Sequence, residues 1–238
     1  MTHKDRARRM FRDGGSCRAA GGAGDLPGYS AAELASVPAG AAKAARGCSN
    51  PIALTALHPG QTVLDMGCGT GLDVFLAARA VGPAGQVIGV DTDAAALDQA
   101  RAFAAEGGFA NVEFRVGAME KLPVDDGAVD VVISNCAVNY APDKLAAFGQ
   151  AYRVLKEGGR LAVSDLVLKG SLPDPHAPGL EVWASWLDVA AFKHDYLGAI
   201  LAAGFKRVIV VAEAPYAGGA MTAALSGRIV GLHAQAKR

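Results

Sequence analysis

Cysteine is scarce in this sequence, and what there is does not pair. Four cysteines (Cys17, Cys48, Cys68 and Cys136) are spread over 238 residues. They are too few and too dispersed for a secreted disulfide framework, and none forms the C-x-x-C spacing of a zinc or thioredoxin site. They read as free thiols in a reducing compartment, so each needs its own explanation. Net charge is also absent: 23 Lys and Arg balance 23 Asp and Glu. That excludes a phosphate-tracking surface, so no nucleic-acid partner is expected. No apolar run approaches the roughly 18 residues of a membrane span, so no membrane partner is expected either. The opening "MTHKDRARRMFRDGGSC" is basic, with no apolar signal-peptide core behind it. Its arginines are faintly like a transit peptide, but Asp5 and Asp13 count against one, and a soluble cytoplasmic protein is expected. The five histidines (His3, His58, His176, His194, His233) show no helical i, i+4 pairing and lie outside the motifs below. Surface or core roles are expected for them.

What the sequence has is alternation. From residue 61, short β-branched runs alternate with helical periodicity: "TVLDM", "LDVFLAARAV", "QVIGVD", "DAAALDQARAFAAE", "NVEFRV". The pattern continues through "VDVVISN", a helix over "DKLAAFGQAYRVL", a stop at Gly158 and Gly159, and a fifth strand "RLAVSDLVL". Such βαβ units predict an α/β fold with a mostly parallel sheet. Residues 1 to about 50 are rich in Gly and Ala with few large apolar positions, so this arm should lie over something else. Residues 171 to 194 hold Pro173, Pro175, Pro178, Trp183 and Trp186 and read as an insertion. A helix near 194–203, the strand "KRVIVVAEA" and a last strand in "SGRIVGLHAQAKR" follow. The expected organisation is an arm over 1–55 carrying Cys17 and Cys48, a ligand-binding core over 56–170, and a substrate-side insertion with completion of the sheet over 171–238.

"VLDMGCGTGLDV" sets Gly67, Gly69 and Gly71 between the first strand and its helix. Glycines there let the backbone turn tightly and approach a nucleotide-like ligand close to free helix N–H groups. A dinucleotide fingerprint wants the third glycine one position later, where Leu72 stands. The G-x-G-x-G spacing, preceded by Asp65, favours S-adenosyl-L-methionine over NAD. Asp91 closes the second strand, where a carboxylate can accept both ribose hydroxyls. The alternative is that Asp91, Thr92 and Asp93 only cap the next helix.

These motifs resemble a class I S-adenosylmethionine-dependent methyltransferase and, more narrowly, the arsenite methyltransferases. The narrower likeness rests on "GYSAAELASVPAGA", "GCSNP", "VLDMGCGTGLDVFLAARAVGPAGQVIGVD", "NVEFRVGAMEKLPV", "VISNCAVNYAPDK" and "RVLKEGGRLAVSDLV", which cover most of residues 28 to 168. The resemblance implies a Rossmann-like seven-stranded sheet with helices on both faces, and S-adenosyl-L-methionine as cofactor. Asp65, Gly67, Cys68, Gly69, Gly71, Asp91, Thr92, Met119, Glu120 and Asn135 are then the residues around it. Ala118 stands where many relatives carry an acid, so the adenine contact there is expected from main chain, and Cys68 is read as a small structural residue of the loop. By the same resemblance Cys48 and Cys136 are thiolates that hold trivalent arsenic as substrate, and Cys17 sits where relatives often carry an N-terminal thiol. Trp186 stands at or near a further family cysteine, so one ligand is missing.

Thiolate sulfur suits a soft, three-bonded centre such as trivalent arsenic. The arsenic lone pair attacks the methyl group itself, so the site needs positioning and no general base. With Trp186 at the missing position, a singly substituted organoarsenical is expected to be preferred over arsenite. The expected partners are that arsenical and a thiol reductant, glutathione or thioredoxin, and the arm is expected to close as a lid. Free cysteines often only pack, and that reading stays open for Cys48 and Cys136, and more so for Cys17. Three alternatives also stay open: a methyltransferase for a small organic nucleophile, with Asp143 the acid nearest Cys136 in sequence; a non-catalytic arsenical-binding protein; and, disfavoured by Leu72, an NAD oxidoreductase.

Overall fold

Strands of Val, Ile and Leu that are buried on both faces belong in the middle of a parallel sheet, and the computed structural model places them there. It describes residues 28–53, 55–171, 180, 183–216 and 224–238. The strands are β1 (Thr62–Met66), β2 (Gln86–Asp91), β3 (Val112–Val116), β4 (Val129–Asn135), β5 (Leu155–Leu168), β6 (Arg207–Pro215) and β7 (Ile229–Lys237). They form one seven-stranded sheet in the order β3-β2-β1-β4-β5-β7-β6. Strands β1 to β5 pair in parallel, and β7 runs antiparallel between β5 and β6. The order reverses between β1 and β4, and at such a switch point the carboxyl ends of the strands open a ligand crevice.

Two short helices, α1 (Ala31–Ala35) and α2 (Ala39–Ala44), precede the sheet; α3 (Leu72–Val81), α4 (Ala94–Glu106), α5 (Lys144–Val154), α6 (Ala184–Leu187) and α7 (Lys193–Ala202) follow in chain order. Helices α5 and α7 cover one face, where Phe148, Tyr196 and Ile200 pack on Leu64, Val132 and Leu161. Helices α3 and α4 cover the other with Phe75, Leu97 and Ala100, and the arm adds Val37, Ala41 and Ala45 to that core. Residues 28–53 therefore pack on the domain through Val37, Ala41 and Ala45, and residues 1–27 of the expected arm lie outside the described residues. Among the described residues no helix is long and apolar enough to cross a membrane.

The glycine pair after α5 behaves differently from expectation. Instead of a stop between helix and strand, β5 begins at Leu155 directly after α5 and runs through Gly158 and Gly159. Val129 pairs with Leu155 and Val131 with Arg160, so residues 156–159 bulge opposite Asp130. Gly158 takes φ +75° in that bulge, a conformation an L side chain resists.

Phe75 is fully buried and meets Phe109 at 4.8 Å and Phe114 at 6.0 Å between ring centroids. Phe75→Ala is expected to cost about 3–5 kcal/mol of unfolding free energy, measured by urea titration. A loss below about 1 kcal/mol would show that this side of the sheet is not the packed core described here.

Candidate active site

The crevice is built first by the loop after β1. Gly67, Gly69 and Gly71 all have positive φ. A Cβ on Gly67 would lie 2.5 Å from Ala137 Cβ and 2.6 Å from Met119 Cε, whereas one on Gly69 would meet nothing within 4 Å. Gly67 thus lets β4 and the turn after β3 close in, and Gly69 leaves backbone open to a ligand. A cavity of about 360 Å³ results, within the size range of small-molecule sites. Asp65, Gly67, Cys68, Gly69, Asp91, Thr92, Met119, Glu120 and Asn135 all line it. Gly71 does not: as the left-handed N-cap of α3 it faces the rings of Phe75 and Phe114. Cys68 is buried in the core beneath the loop, its sulfur against Gly89, and burial pushes its thiol well up.

Asp91 is not the cap of α4. That is Asp93, whose carboxylate accepts from Ala95 N and Ala96 N. Asp91 Oδ2 accepts from Gly69 N at 2.8 Å and Oδ1 from Asp93 N at 2.9 Å, which orients both oxygens at the crevice. Asp65 and Asp73 share the same cavity wall. Burial raises all three carboxyls; the charges of Asp73 and Asp91 raise Asp65 further, and Asp73 is brought to about 6. Two buried acids and the half-buried Asp91 around one cavity fit a cationic ligand, and S-adenosylmethionine, with a sulfonium and an ammonium group, has that chemistry.

The second half of the site is the thiol pair. Cys136 follows β4 directly and holds φ +56°, left-handed for a residue that is not glycine. Its N–H donates to Ser164 O at 2.7 Å, which fixes the turn against β5. Strain of this kind persists where the surroundings over-determine it, commonly at functional sites. Cys48 arrives from the arm: its N–H donates to Asn135 Oδ1 at 3.1 Å, and its thiol lies 3.8 Å from both Asn135 Oδ1 and Ser164 O. The two sulfurs and a carboxylate oxygen of Asp165 lie within 4.8 Å of one another, all three residues buried. Both cysteines border an apolar wall of Leu166, Leu168, Trp183 and Trp186. Trp186 thus belongs to the same buried cluster as the thiols, and Cys17 lies outside the described residues.

Asn135 lines the crevice, yet its amide faces the arm. The two N–H groups of Nδ2 are shared among three acceptors within hydrogen-bond distance, Ser49 O (2.6 Å), Tyr29 Oη (2.9 Å) and Asp73 Oδ2 (2.9 Å), and Tyr29 in turn donates to Asp73 Oδ1 at 2.6 Å. A Cβ on Gly47 would come 2.3 Å from Asn135 Nδ2, so only glycine lets the Cys48 loop approach. His233, for which a surface or core role is expected, bridges the loop to the sheet: its Nε2 is 2.7 Å from Ser49 Oγ and its Nδ1 is 2.6 Å from Ser164 Oγ. Tyr29, Asp73, Asp165 and His233 are the site residues that sequence reading missed. Asp165 alone left a local signal there, an acid in the middle of the apolar strand "LAVSDLVL".

Residues 57–202 match a family described as a methyltransferase domain. The fold matches the crystal structure of an arsenic (III) S-adenosylmethionine methyltransferase from Chlamydomonas reinhardtii with a TM-score of 0.72 and 30% identity, over 90% of this chain and 74% of that one. This chain belongs to the arsenite methyltransferase family. The arsenite methyltransferase of Halobacterium salinarum is 50% identical over 165 residues, 68% of this chain and 42% of the relative. That of Aquipseudomonas alcaligenes is 40% identical over 148 residues, 59% of this chain and 43% of the relative. The chain thus spans about two fifths of the length of these relatives. The mixed seven-stranded sheet is the class I methyltransferase fold, whose members use S-adenosyl-L-methionine.

The acids of the family's crevice set a pH dependence. In the unfolded chain the Asp73 carboxyl ionises near 3.8, and in the fold it keeps its proton to about 6. Between those values the folded state binds more protons, so this residue's contribution to stability falls as pH rises and has fully fallen above about 6. In the ligand-free protein the stability of wild type relative to Asp73→Asn is therefore expected to decline from pH 4 to pH 6.5. Parallel melting-temperature curves for the two proteins would contradict that assignment.

Proposed function

We propose that this chain transfers a methyl group from S-adenosyl-L-methionine to a trivalent arsenical held by Cys48 and Cys136. The observation that carries the reading is the pair of buried thiols, delivered by the arm and by the strained turn after β4, within 4.8 Å of each other. Cys136 also lines the acid-walled crevice, so one residue belongs to both halves of the site.

Bound in that crevice, S-adenosylmethionine supplies an electrophilic methyl group. Asp91 would accept the ribose hydroxyls, Met119 and Glu120 would border the adenine, and Asp65 with the open backbone at Gly69 would take the amino-acid end. Each thiol replaces a hydroxyl on arsenic: a sulfur–arsenic bond forms, and the thiol proton leaves with that hydroxyl as water. The arsenic lone pair remains free to attack, so holding it in line is the protein's main contribution. Asp143, the acid nearest Cys136 in sequence, is not among the residues lining the crevice; its Oδ1 accepts from Ala146 N at 2.9 Å as the cap of α5.

Two protein sulfurs leave arsenic one position to fill. Trp186, 3% exposed and in the same buried cluster as the thiols, offers that side apolar surface and no donor sulfur. An arsenical with one carbon substituent fills the position itself and suits that wall. Arsenite needs a third thiol, from Cys17 or from glutathione, and a thiol system of the glutathione or thioredoxin kind regenerates the trivalent state. In this reading residues 1–55 are the lid that brings Cys48, 56–170 bind the methyl donor, and 171–238 complete the sheet and the substrate wall.

Arsenic speciation tests the reading, with S-adenosylmethionine, a thiol reductant, and arsenite or methylarsenite. Wild type is expected to methylate methylarsenite faster, and Cys136→Ser and Cys48→Ser to lower product at least about 100-fold. Trp186→Cys should raise the arsenite rate relative to methylarsenite. Product that persists in both serine variants would move the substrate to another nucleophile, and equal turnover of the two arsenicals would remove the preference assigned to Trp186.

A further inference from the structure

We propose that Asp165 is the counter-charge for the positive charge that methyl transfer places on arsenic. The inference rests on the reading that Cys48 and Cys136 hold the arsenical, and it assigns the third member of the buried cluster. An atom bonded to both sulfurs lies beside a carboxylate oxygen that is itself within 4.8 Å of each of them.

The carboxylate is better placed to act through its field than as a ligand. Oδ1 accepts from Asn139 Nδ2 at 2.9 Å and from Leu166 N at 2.9 Å; Oδ2 accepts from Asn139 N at 3.3 Å and from Tyr196 Oη at 3.2 Å. A carboxylate has about four lone-pair directions. Donors arranged around them match the anionic form, fix its position and leave little to give a third bond. Oxygen is also the wrong donor for a thiophilic centre. Lys144, whose charge acts on Asp165, turns its ammonium to Asn139 O and Val189 O, each at 3.0 Å.

The reaction moves charge toward this group. The arsenic lone pair becomes the arsenic–carbon bond, the carbon–sulfur bond of the methyl donor breaks, and its electron pair stays on that sulfur. The sulfonium becomes a neutral thioether and arsenic takes the positive charge; no proton moves and no oxidant enters. Asp165 is 2% exposed, so little water screens it, and its hydrogen bonds hold it in place before the charge arrives. A preorganised group aimed at developing charge acts mainly on the transition state.

Asp165→Asn keeps the shape and removes the charge, Asp165→Ser is a smaller neutral variant should asparagine fail to fold, and Asp165→Glu keeps the charge. Three quantities are measured: melting temperature, methylarsenite affinity without methyl donor from quenching of Trp183 and Trp186, and single-turnover methyl transfer. A folded neutral variant is expected to bind methylarsenite within about threefold of wild type and to transfer methyl about 100-fold more slowly, with glutamate within about tenfold of wild type. A folded neutral variant that transfers within threefold of wild type overturns the proposal. So does one that loses affinity in the same proportion as rate, which would make Asp165 part of substrate holding. Wild type that makes no methylated arsenical overturns the functional reading itself, and this inference with it.

Discussion

The site depends on one side-chain amide. Asn135 ends β4, and its single carboxamide holds the backbone of Cys48, the carbonyl of Ser49, the hydroxyl of Tyr29 and the carboxylate of Asp73. These groups come from the arm, the first turn of α3 and the central strand, segments with no local reason to meet. The arm has too few large apolar side chains to fix its own course, so its position over the sheet comes from the small-residue contacts of Val37, Ala41 and Ala45 and from this network. The distance between the two thiols is set by the same residue, because Cys48 hangs from its oxygen and Cys136 is its neighbour in the chain. A half-buried amide whose oxygen and both N–H groups are engaged favours one arrangement over others, since displacing a partner gives up a hydrogen bond in a partly enclosed site.

Electrostatics divides the site into two halves with different jobs. On the crevice side, Asp65, Asp73 and Asp91 are crowded and buried enough that each is pushed toward its neutral form, a strain that a cationic ligand relieves. On the thiol side, the walls are Leu166, Leu168, Trp183 and Trp186 and the buried carboxylate is Asp165. The first half is suited to collecting positive charge and the second to receiving it. Both lie along the carboxyl ends of the strands, where the reversal of order between β1 and β4 leaves room.

The sequence discloses the parts of this site that are local and conceals those that are not. The strands from β1 to β4, the glycine loop and Asp91 are legible because period-two and 3.6-residue patterns, and a turn that only glycine makes, act over a few neighbours. Cys48 and Cys136 are singled out in the sequence by the likeness of "GCSNP" and "VISNCAVNYAPDK" to the arsenite methyltransferases, and the fold brings the two thiols together. Tyr29, Asp73 and His233 are not: a tyrosine in a Gly-rich arm, an acid in a helix's first turn and a histidine in an edge-adjacent strand each have an ordinary local explanation. Their roles appear only when chain segments far apart in sequence are laid side by side. The Gly158–Gly159 pair misleads for the opposite reason, because positive φ serves a bulge inside a strand as well as a stop between elements.

The same geometry argues that the two halves do not act independently. Asn135 Nδ2 is shared between Asp73, on the crevice wall, and Ser49, beside Cys48. A cationic ligand in the crevice favours ionised Asp73, and an ionised carboxylate is the stronger acceptor for both Asn135 and Tyr29. Both donors belong to the apparatus that positions Cys48, so filling the crevice tightens the arm and the thiol pair together. In the proposed reading, linkage makes the effect reciprocal: an arsenical held at Cys48 would also fix Asn135 and thereby favour the charged form of Asp73 that suits a cationic methyl donor. On that proposed function, cooperativity between methyl donor and arsenical would follow from one amide and one displaced carboxyl equilibrium, with no movement of the sheet required.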